Sequence, residues 1–296
     1  SRSRILSADS AGESSFWIQK FRELFIRHLP FSKLDSIIGN SSTVFQTVIR
    51  HPQPDAFWDA YNPTNEQFAR INMPILTITG HYDDDQPGAM EFYTRHMKFA
   101  SQEAKEKHFL IIGPWDHAGT RTPKKEFGGI KIGDACMLEM NKLHKEWYDW
   151  TLKGGKKPEF LRKRIAYYVM ASDEWKYADS LGSIANATCV YRLNSTGSAD
   201  DVFHSGTIRE GAPRNSTPDK FAYDPLDIRP ASLDRAGVHY VPGEGPYLTD
   251  QRYVLSLFGN GAVYHTDPFP EATEVSGFVK LVVWMQIDVP DTNFKA

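Results

Sequence analysis

The sequence predicts an α/β part followed by an all-β part, and three observations carry this prediction. Two short apolar runs, 73–79 and 108–112, have the length and the Gly or Pro boundaries of buried parallel strands. Helices predicted at 87–100 and 135–151 alternate with them, in the β-α-β-α order of a doubly wound layer. From residue 165 onward, short β-prone runs alternate with Gly, Pro, Asn and Asp turns, which is typical of a β-sandwich or jelly roll.

The segment ahead of the first predicted strand has helical patterning. Apolar residues between 16 and 29 recur close to a 3.6-residue period and predict an amphipathic helix that ends before Pro30. Residues 44–49 and 57–61 suggest two more short helices. Aromatic-rich helices before a buried strand are typical of a cap over an active site, and an ordinary helical subdomain is equally compatible with the pattern.

These predictions divide the chain into three segments. Residues 1–68 are a helical cap segment, 69–155 an α/β part and 160–296 an all-β part, with the boundary at the Gly and Pro cluster 154–158. Strands of the last segment are predicted at 165–170, 188–193, 252–258, 263–265 and 279–287. The polar stretch between them is predicted as a long ordered crossing, 195–246, that aromatic residues pack down: Phe221, Tyr223, Tyr240 and Tyr247.

Composition and charge favour small-molecule chemistry. The chain has 296 residues, enough for two domains with cores of their own, and a formal net charge of −3 with interspersed charges. The sequence has no extended basic stripe, which argues against a nucleic-acid partner. The apolar run 278–287 is about half the length of a membrane-spanning helix, so no membrane partner is predicted either. Cys136 and Cys189 lie too far apart for a metal-site spacing, and the compartment and self-association into a homo-oligomer stay open.

Candidate chemical groups follow directly after the two predicted strands. Asp83 lies in segment 80–86 (GHYDDDQ) and His117 in segment 113–119 (GPWDHAG). The carboxyl ends of parallel strands meet at one sheet edge, where α/β proteins place their chemistry. A carboxylate there can accept the imidazole Nδ1–H and stabilise the imidazolium that forms when a nucleophile is deprotonated. We therefore predict that Asp83 and His117 are the acid and the base of a Ser-Asp-His triad.

Other interpretations of these residues stay open. Spacing does not decide which aspartate of 83–85 is the acid, and Asp84 or Asp85 could instead cap a helix. Adjacent carboxylates also offer oxygen ligands for calcium, although a complete calcium loop is missing, and we assign no metal or cofactor. A different class of function is a non-catalytic β-sandwich for binding or assembly, with the aromatic segments 171–175 and 283–285 as its surface candidates.

The motif blocks resemble those of the cocaine esterase and Xaa-Pro dipeptidyl-peptidase family of serine hydrolases, which includes α-amino-acid ester hydrolases and glutaryl acylases. Segments 80–83 and 113–117 are similar to the family's Gly-x-Tyr/Trp-Asp and Gly-Pro-Trp-x-His blocks. Three further segments are similar to a cap motif, a Tyr-Asp-Pro crossing and a Pro-Asp-Thr-Asp-Phe turn: 51–58, 222–225 and 289–294. The resemblance thus extends from the cap to the last residues.

The resemblance implies the C-terminal part of an α/β-hydrolase domain with a helical cap, followed by a jelly-roll β-sandwich. It implies an enzyme that cleaves ester or amide bonds of small molecules or of dipeptidyl and amino-acid substrates, with Asp83 as the triad acid and His117 as the general base.

Three further positions are predicted to bind substrate, and the resemblance implies the first of them. Asp85 falls where the α-amino-acid ester hydrolase branch has an acid that helps hold the substrate ammonium group, while Gln86 replaces the neighbouring acid. Tyr82 and Trp115 flank the proposed acid and base and are the other two candidates.

A nucleophile turn of the form Gly-x-Ser-x-Gly is absent from the sequence. In this fold the nucleophile precedes the acid, and the segment before Asp83 is too short for the β-α units that should come first. We therefore expect the chain to be a piece of a larger enzyme, inactive alone, that needs the preceding segment of the same protein for its serine. The jelly roll is likewise expected to continue past the last residue.

Overall fold

The computed structural model describes residues 14–212, 217–233, 248–249, 251–252, 255–290, 292 and 294. Five helices come first: α1 (Ser14–Ile26), α2 (Leu34–Ile37), α3 (Thr43–Val48), α4 (Ala56–Asp59) and α5 (Asn65–Arg70). Strands and helices then alternate: β1 (Ile75–Tyr82), α6 (Gln86–Phe99), α7 (Gln102–Glu106), β2 (His108–Asp116), β3 (Glu126–Phe127), β4 (Ile130–Lys131), α8 (Met140–Lys153), β5 (Ile165–Val169) and β6 (Glu174–Ala178). Three strands follow: β7 (Tyr191–Asn194), β8 (Gly206–Glu210) and β9 (Tyr264–His265).

The main sheet has the strand order β1-β2-β5-β6. The pairs β1–β2 and β2–β5 are parallel, and β5–β6 is antiparallel. Both apolar runs predicted as parallel strands are confirmed, and so is a strand at 165–170. The predicted boundary at 154–158, however, separates strands of one sheet, because β5, a parallel partner of β2, lies beyond it. The α/β layer therefore extends at least to Ala178.

The core lies on both faces of this sheet because successive side chains of a strand point to opposite faces. On one face, Phe109 and Ile111 of β2 pack in a cluster with Trp147 of α8. On the other face, Leu110 packs with Tyr93 of α6. Eight of the nine residues of β2 are buried, as expected for a parallel strand covered by helices on both sides.

The helices that cover the sheet begin and end at residues typical of helix boundaries. Pro87 occupies the first turn of α6, and α8 ends at Gly154, whose φ of 69° is in the left-handed region. Met140, Leu143 and Trp147 form the buried stripe of α8. The helices predicted at 87–100 and 135–151 are thereby confirmed. None of the described helices is both long and apolar enough to cross a bilayer.

The segment ahead of β1 is helical, as predicted. The residues of segment 51–58 bond to one another: His51 Nδ1 lies 2.6 Å from Asp55 Oδ2, and Trp58 Nε1 donates to the His51 carbonyl at 2.7 Å. Asp55 also accepts the Phe57 N–H at 2.9 Å and thereby starts α4. The hydrogen bond from His51 holds the pKa of the Asp55 carboxyl below its usual value. These residue types therefore build local structure in the helical segment.

The part after the main sheet contains a second sheet with the order β7-β8-β9. Strands β7 and β9 match the predictions at 188–193 and 263–265. The predictions at 252–258 and 279–287 are wrong for the described residues: 255–258 form turns, and 279–287 pair with no strand. A strand needs a neighbour for its backbone groups, and no described strand lies beside 279–287. The jelly roll therefore stays a prediction.

The stretch 195–246 differs from the predicted crossing because it contains β8. Phe221 and Tyr223 are 45% and 66% exposed and do not pack this stretch down. Its described part is held instead by Asp219, which accepts a hydrogen bond from the Tyr264 hydroxyl of β9. Tyr240 and Tyr247 lie outside the described part of the chain, as do residues 253–254 of the predicted strand 252–258 and residues 291 and 293 of segment 289–294.

Candidate functional site

The carboxyl ends of β1 and β2 are offset by a bulge. Gly80 pairs with Gly113, and the next recorded pair joins Tyr82 to Asp116, so β2 has one residue more than β1 over this stretch. A bulge bends a strand and redirects the side chains beyond it. Here it sets the positions of the two loops that follow the strands.

These loops bring Asp83 and His117 into contact. His117 Nδ1 lies 3.0 Å from Asp83 Oδ1, a hydrogen-bond distance. The sequence predicted that the two side chains meet at this sheet edge, and the structure has them there. Their catalytic roles stay a prediction that the geometry permits.

Asp83 is buried and held by several donors. It is 8% exposed, its Oδ2 accepts the Thr79 hydroxyl at 3.2 Å, and its Oδ1 accepts the Asp85 N–H at 3.0 Å in addition to the contact with His117. A buried carboxylate is stable only when hydrogen bonds replace its lost hydration. The sequence analysis did not single out Thr79, although a hydroxyl residue four positions before the acid, inside an apolar strand, is a usable signal.

Gln86 closes the loop that carries Asp83. Its side-chain Nε2 donates to the Gly80 carbonyl at 2.8 Å, and its backbone N–H donates to the Asp83 carbonyl at 2.9 Å. An ionised carboxylate has no proton to donate, so an acid at position 86 could not make the first bond. The departure from the family pattern at this position therefore has a structural consequence: a fixed turn in place of an anionic side chain.

The histidine loop is also fixed by its own hydrogen bonds. Asp116 Oδ1 accepts the Gly119 N–H at 2.7 Å, and the Thr120 hydroxyl donates to the His117 carbonyl at 2.7 Å. The His117 side chain is 53% exposed. Among the described residues, its Nε2 has no hydrogen-bond partner. With Nδ1–H donated to Asp83, Nε2 carries the lone pair and can accept a proton.

Trp115 is a packing residue, which corrects the prediction that it binds substrate. It is 1% exposed, and its Nε1 donates to the Cys136 carbonyl at 3.1 Å. A Cβ at Gly80, Gly113 or Gly119 would lie 2.0, 2.1 or 2.6 Å from atoms of Trp115. The glycines of both motif blocks thus make room for one buried tryptophan, whose ring has no surface left for a substrate.

The Gly119→Ala variant should therefore be less stable. The new Cβ would lie 2.6 Å from Trp115 Cβ, and overpacking of this kind should lower the free energy of unfolding by about 1–2 kcal/mol. Urea denaturation at pH 7 measures the difference. Gly182→Ala is the matched control, because its Cβ would meet only Ser180 Oγ at 4.0 Å. Equal destabilisation of both variants would contradict the steric argument.

The other two predicted substrate-binding residues lie at the site. Tyr82 is partly buried, its ring centroid is 5.3 Å from that of Phe127, and burial raises the pKa of its phenol. Asp85 is exposed, and its Oδ2 lies 3.3 Å from His117 Nδ1. The structure thus brings Tyr82, Asp83, Asp85 and His117 to one sheet edge and leaves out Trp115.

Two clusters have the donor atoms of a cation site, each with ligand atoms within 4.8 Å of one another: Asp83, Asp85 and His117, and Asp200, Asp201 and His204. The first cluster contains His117 in place of Asp84, so it differs from the calcium site of three consecutive aspartates considered from the sequence. The His117 Nδ1 cannot ligate a metal while it donates its proton to Asp83. The observed hydrogen bond therefore favours the acid–base arrangement.

Comparisons with known proteins agree with the motif analysis. Residues 7–119 match the family model described as X-Pro dipeptidyl-peptidase (S15 family). Cocaine esterase from Rhodococcus sp. (strain MB1 Bresler) is 25% identical over 255 residues, which are 86% of this chain and 42% of that protein. The solved structure of an α-amino acid ester hydrolase has a TM-score of 0.50 at 17% identity, over 66% of this chain and 32% of that chain.

The chain spans less than half the length of these two proteins. The structural match shows a shared fold, and the family match covers both loops that carry Asp83 and His117. These findings agree with the motif blocks that suggested the family from the sequence. The chain is thus related to the hydrolase family of cocaine esterase and the X-Pro dipeptidyl-peptidases.

Proposed function

We propose that the full-length protein is a serine hydrolase that cleaves ester or amide bonds of small molecules, including dipeptidyl and amino-acid substrates. In this proposal Asp83 is the triad acid and His117 the general base. The observation that carries it is the 3.0 Å contact between His117 Nδ1 and a buried carboxylate, at the carboxyl ends of two parallel strands. The hydrolase relatives support the same class of reaction.

The proposed mechanism follows from the protonation of His117. Nε2 takes the proton of a serine hydroxyl while the serine Oγ bonds to the substrate carbonyl carbon. The imidazolium then gives this proton to the leaving alcohol or amine as the acyl-enzyme forms. Water attacks the acyl-enzyme and gives one proton to Nε2, which passes it to the serine Oγ as the acyl–Oγ bond breaks and the acid product leaves. Asp83 orients the ring and stabilises the imidazolium without itself taking a proton.

We place the nucleophile on a segment of the full-length protein outside these residues. Among the described residues, β1 has a strand on one side only. Because the Ile75 N–H donates to the Lys107 carbonyl, the parallel ladder directs the backbone groups of Leu76 and Ile78 away from β2. A cavity of about 510 Å³ lies beside the start of this edge, with lining residues that include Ile75, Leu76, Phe92, Trp147 and Tyr148. A further parallel strand there would end beside Asp83.

The proposal also assigns residues that contact the substrate and the domains of the chain. Asp85 and Tyr82 are proposed to contact the substrate near His117, and an exposed carboxylate at Asp85 suits a substrate ammonium group.

Residues 1–68 are proposed as the cap and 69–155, extended by β5 and β6, as the C-terminal part of an α/β-hydrolase domain. The remaining residues of 160–296 are proposed as part of a jelly roll; the antiparallel pair β7–β8 is compatible with it, whereas β8 and β9 pair in parallel.

A non-catalytic role in binding or assembly is the second candidate. Trp284 is fully exposed and Met285 is 55% exposed, which favours a contact surface at 283–285. The other surface candidate, 171–175, is not favoured. Its Trp175 is engaged inside the protein: Nε1 donates to the Ala135 carbonyl, and the ring lies 5.7 Å from that of Trp115.

Labelling by a fluorophosphonate probe tests the proposal and separates the two candidates. The full-length protein should be labelled on the serine of a Gly-x-Ser-x-Gly turn encoded upstream of Ser1, and the His117→Gln variant should lose the label. The chain of 296 residues should remain unlabelled. Labelling that persists without His117 would exclude His117 as the base, and the absence of such a turn or of any labelling from the full-length protein would favour the binding role.

A further inference from the structure

The Asp85 carboxylate contacts His117, and a role in binding a substrate ammonium group does not explain this contact. Asp85 Oδ2 lies 3.3 Å from His117 Nδ1, the same nitrogen that is 3.0 Å from Asp83 Oδ1. One ring N–H therefore faces two carboxylate oxygens. Either oxygen can accept its proton, since an N–H can be shared between two acceptors.

The backbone holds both carboxylates at this nitrogen. The Asp85 N–H donates to Asp83 Oδ1 at 3.0 Å, so the buried acid also anchors the main chain of the exposed one. Asp85 then directly precedes α6, which begins at Gln86. The two carboxylates differ in burial, since the side-chain atoms of Asp83 are 5% exposed and those of Asp85 are 78% exposed. Asp83 is therefore the fixed acceptor, and Asp85 is the one that solvent or a ligand can reach.

We propose that Asp85 is a positioning residue for His117, a second acceptor that keeps the proton on Nδ1 and the lone pair on Nε2. This inference rests on the proposed function, in which Nε2 is the base. Asp85 adds negative charge beside the imidazolium, and its exposure keeps that contribution small. A cationic substrate that binds Asp85 draws the carboxylate away from His117, which couples recognition of the substrate to the base.

The chain supplies a matched control for charge. Asp84 is also exposed, adjacent in sequence and of the same type, and no contact joins it to His117. Replacing Asp84 or Asp85 by asparagine removes the same charge from the same loop. A difference between the two variants therefore reports the contact with Nδ1 rather than the general field of the loop.

The tautomer of His117 tests the inference without any need for hydrolysis. Long-range ¹H–¹⁵N spectra of the chain of 296 residues, recorded with the ring neutral and assigned with a His117→Gln variant, report which ring nitrogen carries the proton. The Asp83→Ala and the Asp83→Ala/Asp84→Asn variants should keep the proton mainly on Nδ1. The Asp83→Ala/Asp85→Asn variant should lose this preference. Loss of the preference in Asp83→Ala alone would overturn the inference.

Kinetics of the full-length protein give a second test that leaves the buried acid intact. Asp85→Asn should lower kcat for the neutral ester p-nitrophenyl acetate about two- to fivefold with KM unchanged, as expected for an exposed charge contact. Asp84→Asn should leave kcat unchanged. If Asp85→Asn raised only the KM of amino-acid esters and left the neutral ester unaffected, its role would be ammonium binding alone and the inference would be wrong.

The two tests separate this inference from the proposed function. If the tautomer depends on Asp85 but the full-length protein hydrolyses no ester, the proposed function fails while the contact stands. If hydrolysis depends on His117 but neither the tautomer nor kcat responds to Asp85, the function stands and the positioning role of Asp85 fails.

Discussion

The His117→Ala variant of the full-length protein is expected to lose roughly 10⁴-fold in kcat on ester substrates, with little change in KM. The reason is the geometry of the ring. Its Nδ1 is engaged by Asp83 at 3.0 Å, and no other described residue contacts Nε2, so no neighbour is placed to take over the proton transfer. Initial rates with p-nitrophenyl esters and with amino-acid esters measure the loss.

Two controls separate a lost base from a damaged fold. His265→Ala removes an exposed histidine of β9 and should leave kcat unchanged. Added imidazole should restore part of the activity of His117→Ala, because the free base can enter the space of the missing ring and accept the same proton. Turnover by His117→Ala within tenfold of the parent protein would remove His117 from the mechanism.

The contact between Asp83 and His117 could be predicted because it depends on strand topology, which the sequence reports well. Each residue follows an apolar run too short for a helix, and the ends of adjacent parallel strands meet at one edge. Spacing alone left the acid open among three aspartates, and the family resemblance pointed to Asp83. Asp83 is the one that is buried under the hydroxyl of Thr79, whereas Asp85 is exposed and Asp84 has no contact with the ring.

The roles of Trp115 and Gln86 could not be predicted, because each depends on a partner set by the tertiary fold. A tryptophan beside a predicted base is compatible with a pocket wall, and only its burial, the close approach of Gly113 to the ring and the bond to the Cys136 carbonyl identify a packed ring. Gln86 looked like the loss of an acid. Its amide instead donates to the Gly80 carbonyl, an acceptor that no pattern in the sequence marks.

The pairing of strands could not be predicted from the sequence either. The β-prone run at β5 has the same residue pattern whether it pairs with β2 in an α/β sheet or forms the first strand of a sandwich. Its assignment to the second domain therefore depended only on its position along the chain. The run 279–287 has the composition of a strand, but composition does not supply a neighbour, and a strand forms only where one is available.

A second large effect is expected from two histidines in the core of the α/β layer. His96 and His108 are both 0% exposed, and their Nδ1 atoms are 3.0 Å apart. The contacts fit a chain of hydrogen bonds between neutral rings, in which His96 Nε2–H donates to the Ile71 carbonyl, His108 Nδ1–H donates to His96 Nδ1, and His108 Nε2 accepts the Thr77 hydroxyl at 2.8 Å. This arrangement requires both rings to be neutral.

Burial lowers the pKa of His108 to about 3, and the neighbouring His96 and Arg164 act in the same direction. Burial also lowers the pKa of His96. A histidine in the unfolded chain has a pKa of about 6.5, so below this pH the unfolded state binds more protons than the folded state. Stability is then fully present above about pH 6.5 and falls with decreasing pH until the folded-state pKa is reached. His108 alone accounts for a loss of about 2 kcal/mol between pH 7 and pH 5.

Urea denaturation of the chain at pH 7 and at pH 5 measures this loss. In the His108→Gln variant the decrease between the two pH values should be about 2 kcal/mol smaller than in the parent chain, even if the variant is less stable at pH 7. His265→Gln, which removes an exposed histidine, should retain the full decrease. The comparison uses the difference between two pH values within each variant, so the cost of losing the ring itself cancels. An unchanged decrease in His108→Gln would mean that the buried pair does not set the acid limit of this fold, and that carboxylates elsewhere do.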